Sequence, residues 1–259
     1  MTTVIALANQ KGGVGKTTTA INLGAALAEL GRRVLIIDID PQANATSGLG
    51  LRATEGHSTY DLLIGDSRLA DVVVPTAFEH LFLAPSTSDL AAAEVEMASM
   101  MAREFRLKRA IENQMESYDF VLFDCPPSLG LLTVNGLTAA DEVIVPVQCE
   151  YLALEGLGQL KNTLELVRRN LNRDLRLRGL LLTMYDRRTN LSEQVAQEVR
   201  SHFANTFRAV VPRSVRVSEA PSHGLPISVY DPGSPATAAY KALAREVVKG
   251  VGAMTEVSS

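Results

Sequence analysis

Six apolar runs set the rhythm of the chain: Val4 to Ala8, Val34 to Ile37, Leu81 to Ala84, Phe120 to Phe123, Val143 to Val147 and Gly179 to Met184. None alternates with polar residues, so each reads as a strand buried on both faces. Between them the apolar spacing changes to that of a helix. Ile21, Leu23, Ala26, Leu27 and Leu30 mark a helix over 18–30 that stops at Gly31, where a C-terminal glycine belongs. Further helices are expected over 57–64, over 89–115 as one or two pieces, from Glu150 to about Leu171, over 192–203 and from Pro235 to about Val251. The Met- and Ala-rich stretch 89–115 reads as core or as a protein interface. At 259 residues the chain is long for one domain, but α/β sheets with helices on both faces reach this size as a unit. One domain is expected over 1–251, with a short polar tail at 252–259.

The polar residues at the ends of the runs carry the chemistry. After the first run comes Lys11-Gly12-Gly13-Val14-Gly15-Lys16-Thr17-Thr18, followed by a helix. A glycine-rich loop between strand and helix can turn its N–H groups inward as a nest, with the helix dipole aimed at the same point. An oligophosphate fits there, with Lys16 on the β and γ oxygens and the Thr17 hydroxyl as a Mg²⁺ ligand. The second run ends in Asp38-Ile39-Asp40-Pro41-Gln42-Ala43-Asn44, two carboxylates at the end where open α/β sheets bind ligands. The fourth ends in Asp124, ahead of Cys125-Pro126-Pro127. An Asp in that place has the form of a Walker B residue and would hold the magnesium opposite Thr17, through a water.

The usual P-loop pattern wants Gly where this chain has Gln10, and it has no lysine at the place of Lys11. The run K-G-G-V-G-K-T-T resembles instead the deviant Walker A motif of the ParA/MinD family of ATPases. With D-x-D-P-Q-x-N at 38–44 and the stretch from Val210 to Gly224, the resemblance to the chromosomal ParA/Soj branch covers nearly the whole chain. It implies a single P-loop NTPase domain of α/β class, with a mostly parallel twisted sheet and helices on both faces. It also implies that Lys11 contacts the phosphates of a neighbouring subunit when two copies sandwich two ATP molecules, and that Asp40 positions the attacking water. Pro212 falls where the family lines the adenine pocket. Arg188 and Arg216, with Arg187 and Arg213 beside them, fall where the family binds DNA without sequence preference. ATP and Mg²⁺, an ATP-dependent homodimer, non-specific duplex DNA and a ParB-type centromere-binding protein are the expected cofactors and partners.

Charge sharpens the DNA expectation. The net charge of −4 argues against a generally basic protein, yet Arg168 to Arg216 holds eleven arginines, no lysine and four acids. That segment carries +7 and the remainder −11, which suggests one basic face on an acidic body. Arginine suits phosphate, because its planar fork donates two parallel hydrogen bonds. The segment shows no stacking platform for single strands, so duplex backbone is the expected ligand.

Other classes are constrained as well. No apolar run approaches the about eighteen residues needed to span a bilayer, and Met1-Thr2-Thr3 leads straight into a strand with no room for a signal peptide. The tail has no Lys or Arg and no apolar face for lipid. The expected location is therefore the cytoplasm, in association with the nucleoid. Cys125 and Cys149 are too far apart for a C-x-x-C pair and read as buried and reduced; His57 and His80 read as surface residues. The alternatives are a ParA-like ATPase that positions non-DNA cargo, and a metabolic or metallocluster ATPase on the same scaffold.

Overall fold

The computed structural model describes residues 2–65, 67–150 and 153–250, so the tail expected at 252–259 lies outside the described residues. The chain begins with β1 (Thr3–Leu7), α1 (Lys16–Glu29) and β2 (Val34–Asp38). Short pieces follow: α2 (Asn44–Gly48), α3 (Thr59–Ile64), α4 (Leu69–Val72), β3 (Val74–Pro75), β4 (Leu81–Ala84), α5 (Leu90–Met97) and α6 (Arg106–Ile111). Regular alternation then resumes with β5 (Phe120–Asp124), α7 (Leu131–Ala139), β6 (Glu142–Gln148), α8 (Ala153–Asn170), β7 (Arg176–Tyr185), α9 (Asn190–His202) and β8 (Thr206–Pro212). The described chain closes with α10 (Val215–Glu219), α11 (Ile227–Tyr230) and α12 (Pro235–Gly250).

The eight strands form one sheet in the order β3-β4-β2-β5-β1-β6-β7-β8, parallel throughout except for the antiparallel edge strand β3. Unbroken apolar runs do bury both faces. Val4 and Ala6 of β1, Leu35 and Ile37 of β2, and Val121 and Phe123 of β5 join one core with α3 and α5 to α9. Their neighbours Ile5, Leu7, Val34, Ile36, Phe120 and Leu122 point the other way, into a second core with α1 and α12. This is the period-two alternation of a strand covered on both sides. Among the described residues no helix is long and apolar enough to cross a membrane.

Three expectations shift. The first helix starts at Lys16 rather than Thr18, because Gly15 adopts a left-handed conformation (φ 91°) that lets the helix begin directly behind it. Stretch 89–115 breaks into α5, a 3₁₀ turn at Arg103–Phe105 and α6; Met97 is core, whereas Met101 is 93% exposed. Strand β8 was not among the predicted runs, because as the sheet edge it is only half buried. Phe207, Ala209 and Val211 face the core, while Arg208 faces water.

One buried ion pair ties the sheet to the last helix. Glu142 at the start of β6 takes the Arg178 guanidinium at 2.8 and 3.0 Å, both side chains about 5% exposed, and Arg178 also donates to the Val247 carbonyl of α12. Removing one partner of such a pair strands the other charge in the core. Arg178→Ala is expected to lower stability by about 3–5 kcal/mol, read as a fall in the urea midpoint.

Candidate nucleotide site at the carboxyl ends of β1, β2 and β5

Parallel pairing builds the site. Register sets Leu7 of β1 beside Asp124 of β5, and Asp38 of β2 on the other side of Asp124. The loop after β1 and both carboxylates therefore emerge together. Gly13 (φ 73°) and Gly15 (φ 91°) adopt left-handed conformations that an L side chain resists, and they curl the loop over the start of α1. Long-range bonds hold the curl. Asn9 donates to the Pro146 carbonyl at 2.7 Å and accepts the Lys11 N–H at 3.0 Å, while the Thr183 hydroxyl donates to the Val14 carbonyl at 2.8 Å. The α1 N-terminus has neither a side-chain cap nor an acid in its first turn. Its free N–H groups and dipole face the loop unopposed, which is the arrangement an anion needs.

The charged side chains meet beneath the loop. Lys16 is only 6% exposed and donates to the Lys11 carbonyl at 3.3 Å. Burial lowers its pKa, opposed by the nearby Asp124, Cys125 and Asp40. Asp38 is structural in its contacts: one oxygen accepts the Thr46 N–H and hydroxyl at 2.9 and 2.7 Å, the other the Asp40 N–H at 3.2 Å. Burial nonetheless raises its pKa to about 6, against the lowering effect of those bonds. Asp40 accepts the Gln42 N–H at 2.9 Å on one oxygen, which fixes its orientation within the turn.

Asp124 is the exception. It is fully buried, and neither carboxylate oxygen has a hydrogen-bond partner, although the Thr17 hydroxyl lies close by. Burial, and then the charge of Asp38, push its pKa well above the usual carboxylate range. A buried carboxylate without partners beside a lysine and a threonine hydroxyl suits a hydrated Mg²⁺, a hard cation that prefers oxygen donors.

Pro212 also reaches this neighbourhood. It lines a cavity of about 130 Å³ together with Gly15, Thr18, Thr183, Met184 and Tyr240, directly beside the start of α1. The Lys11 Nζ lies 3.9 Å from Glu150, and the same carboxylate takes Arg213 at 3.0 Å. Glu150, Asn9 and Thr183 were not singled out from the sequence. They act across the sheet, and no local motif marks them.

Part of the charge of segment 168–216 is spent inside the molecule. Arg178 is buried on Glu142, Arg176 lies 3.7 Å from the same carboxylate, and Arg168 donates to the Leu175 carbonyl. Of the four DNA candidates, Arg188 is paired with Asp186 at 2.8 Å, Arg213 with Glu150, and Arg216 with Glu219 at 3.2 Å over the Tyr230 ring. Among the described residues, Arg187 makes no ion pair.

Residues 2–177 match the model of a protein family described as an AAA domain. The chain is 55% identical over 246 residues to the sporulation initiation inhibitor protein Soj of Bacillus subtilis, across 94% of this chain and 97% of that protein. It is 53% identical over 249 residues to the chromosome partitioning protein ParA of Caulobacter vibrioides, across 95% and 93%. The chain belongs to the ParA/Soj family of partitioning ATPases. A crystal structure of cobyrinic acid a,c-diamide synthase from Mycobacterium smegmatis with bound ADP and magnesium shares the same architecture. Its TM-score is 0.85 at 39% identity, over 100% of this chain and 99% of that one.

The raised carboxylates set a pH dependence. A carboxyl whose folded pKa lies above its unfolded value stabilises fully below the unfolded value, and that contribution is lost as pH rises through the folded one. Between about pH 4 and 6 the nucleotide-free protein therefore loses the Asp38 contribution, and Asp124 extends the loss upward. Asp124→Asn, measured by thermal melting without nucleotide or Mg²⁺ at pH 7.5, is expected to melt higher than wild type. The gain should be about 2–4 °C for each kcal/mol recovered, and it should shrink at pH 5.

Proposed function

We propose that this ATPase is a nucleotide-timed DNA-partitioning switch. The observation that carries the reading is Asp124, a buried carboxylate with two partnerless oxygens beside Lys16 and Thr17 at an uncapped helix N-terminus. Lys16 and the loop N–H groups hold the ATP phosphates, Pro212 borders the adenine, and Thr17 and Asp124 hold Mg²⁺. Magnesium supplies charge that offsets the phosphate oxygens. Asp40 orients a water against the γ-phosphorus; the bond to the β-phosphate oxygen breaks, leaving ADP and inorganic phosphate.

Hydrolysis becomes a switch through a second copy of the chain. Lys11 reaches the partner's phosphates, so the sandwich holds only while both sites contain ATP. Two arginine faces are then presented together. Non-specific DNA affinity lies typically near 10⁻⁴ to 10⁻⁶ M for one face, so pairing two converts an unbound protein into a bound one. A ParB-type partner at a centromere site stimulates hydrolysis, the dimer dissolves, and the protein leaves the nucleoid.

Gly12 tests the sandwich. A Cβ built there would meet only Pro127 within its own subunit, at an ordinary 3.8 Å. Gly12→Val is therefore expected to fold and bind ATP, yet to remain monomeric on a sizing column with ATP, because its branched side chain crowds the facing subunit. An ATP-dependent Gly12→Val dimer would remove the sandwich from the proposal.

Co-sedimentation with random-sequence duplex at moderate salt tests the switch as a whole. Wild type should bind with ATP and not with ADP or without nucleotide, and Arg188→Ala and Arg216→Ala should each weaken binding. The 39% match favours a second reading, a metabolic ATPase on this scaffold. Absence of DNA binding in every nucleotide state would favour that reading.

A further inference from the structure

The four DNA candidates are unequal. Arg188, Arg213 and Arg216 each already hold a carboxylate, and a phosphate must compete for them. Arg187 lines a surface groove of about 400 Å³ with Arg200, Tyr185, Val210, Pro212 and Pro235. Both of these arginines are exposed, and among the described residues neither forms an ion pair or donates a side-chain hydrogen bond. Glu193 on the same helix lies within electrostatic reach of Arg200. Its carboxylate is occupied by the Tyr185 hydroxyl and the Gln197 amide.

We infer that Arg200, together with Arg187, forms the main phosphate seat of the DNA face, taking a phosphodiester of the duplex backbone in this groove. The inference rests on the switch reading and adds to it a residue that the motif resemblance does not reach. Three features fit a backbone phosphate. Two guanidinium groups line one groove, and the acid within reach of Arg200, Glu193, already accepts from Tyr185 and Gln197, so charge-assisted bonds form while every existing pair is kept. The rest of the lining is Tyr185, Val210 and two prolines, which offers a sugar an uncharged wall. Finally, Pro212 lines both this groove and the cavity beside Gly15 and Thr18, so one residue borders the nucleotide and the phosphate seat.

Arg200 stands on α9, anchored by its own cap. The Thr189 hydroxyl accepts the Ser192 N–H at the helix start, and Val195, Ala196 and Val199 are buried against the sheet. Arg187 stands in the turn just before that helix. Their separation is thus set by one rigid element and the turn that begins it, as a site for a fixed group requires.

The test is the salt dependence of duplex binding by the full chain with ATP. Every phosphate that the protein neutralises adds roughly 0.9 to the steepness of log K against log salt, so removing Arg200 from both subunits should lower the slope by about 2. Arg200→Ala should also weaken binding by about three- to tenfold at moderate salt. Arg200→Lys should keep a slope near wild type, because a lysine still neutralises the phosphate. Arg173→Ala, within the same charged segment but outside the groove, should leave the slope unchanged. If Arg200→Ala binds with wild-type affinity and slope while wild type needs ATP, the seat is wrong and the switch reading stands. Weaker binding at an unchanged slope, or no rescue by lysine, would assign Arg200 a structural role and overturn the inference. Failure of wild type to bind duplex in any nucleotide state would remove both.

Discussion

Everything at the functional end of this molecule depends on the pairing of β2 and β5 in register, which places Asp38 opposite Asp124. Two buried carboxylates side by side repel each other, and each lies in an environment that resists charge. The fold treats them differently. Asp38 receives three donors and becomes a tether for the turn that carries Asp40. Asp124 receives none. An unpaired buried carboxylate is costly in an empty protein, and its environment includes the buried amine of Lys16 and the hydroxyl of Thr17. The stability forgone there is what a cation with its bound phosphates would restore on binding.

The same logic explains the loop. A helix whose first turn has no cap and no acid leaves N–H donors unused, and glycines in left-handed conformations add nothing to stability by themselves. Bonds from Asn9 and Thr183 hold this loop in shape from elements on the far side of β1. Preorganisation of that kind lowers the ordering needed when the ligand arrives. The cradle is therefore held in part from β6 and β7, through the Pro146 carbonyl and the Thr183 hydroxyl.

Legibility in the sequence followed the range of the interactions. Strands buried on both faces could be read from β1, β2 and β5, because each is an unbroken apolar run whose period needs no partner to be seen. The cradle was legible for the same reason, since its loop conformation follows from glycines and its helix follows directly. Edge strand β8 was not, because Arg208 interrupts a half-buried alternation. Nor could segment charge show which arginines are available. Arg178 and Arg200 look alike in a count of charges, yet one is enclosed by Glu142 and the C-terminal helix, and the other faces a groove. Only the sheet order, which puts β6 next to β7, separates them.

That distinction bears on how such a protein can bind DNA weakly enough to be released. Arginines clamped by Asp186, Glu150 and Glu219 contribute less than their number suggests, because each must exchange one anion for another. In the proposed switch, with Arg188, Arg213 and Arg216 partnered, one face would fall short of stable binding and two together would suffice, so location would follow dimerisation. Glu150 lies at the join of these demands, within reach of both Lys11 of the glycine loop and Arg213 of the proposed DNA face. On the proposed switch, acidic residues among the arginines would be part of the device, since they would keep the affinity of a single subunit below the level at which ATP would cease to matter.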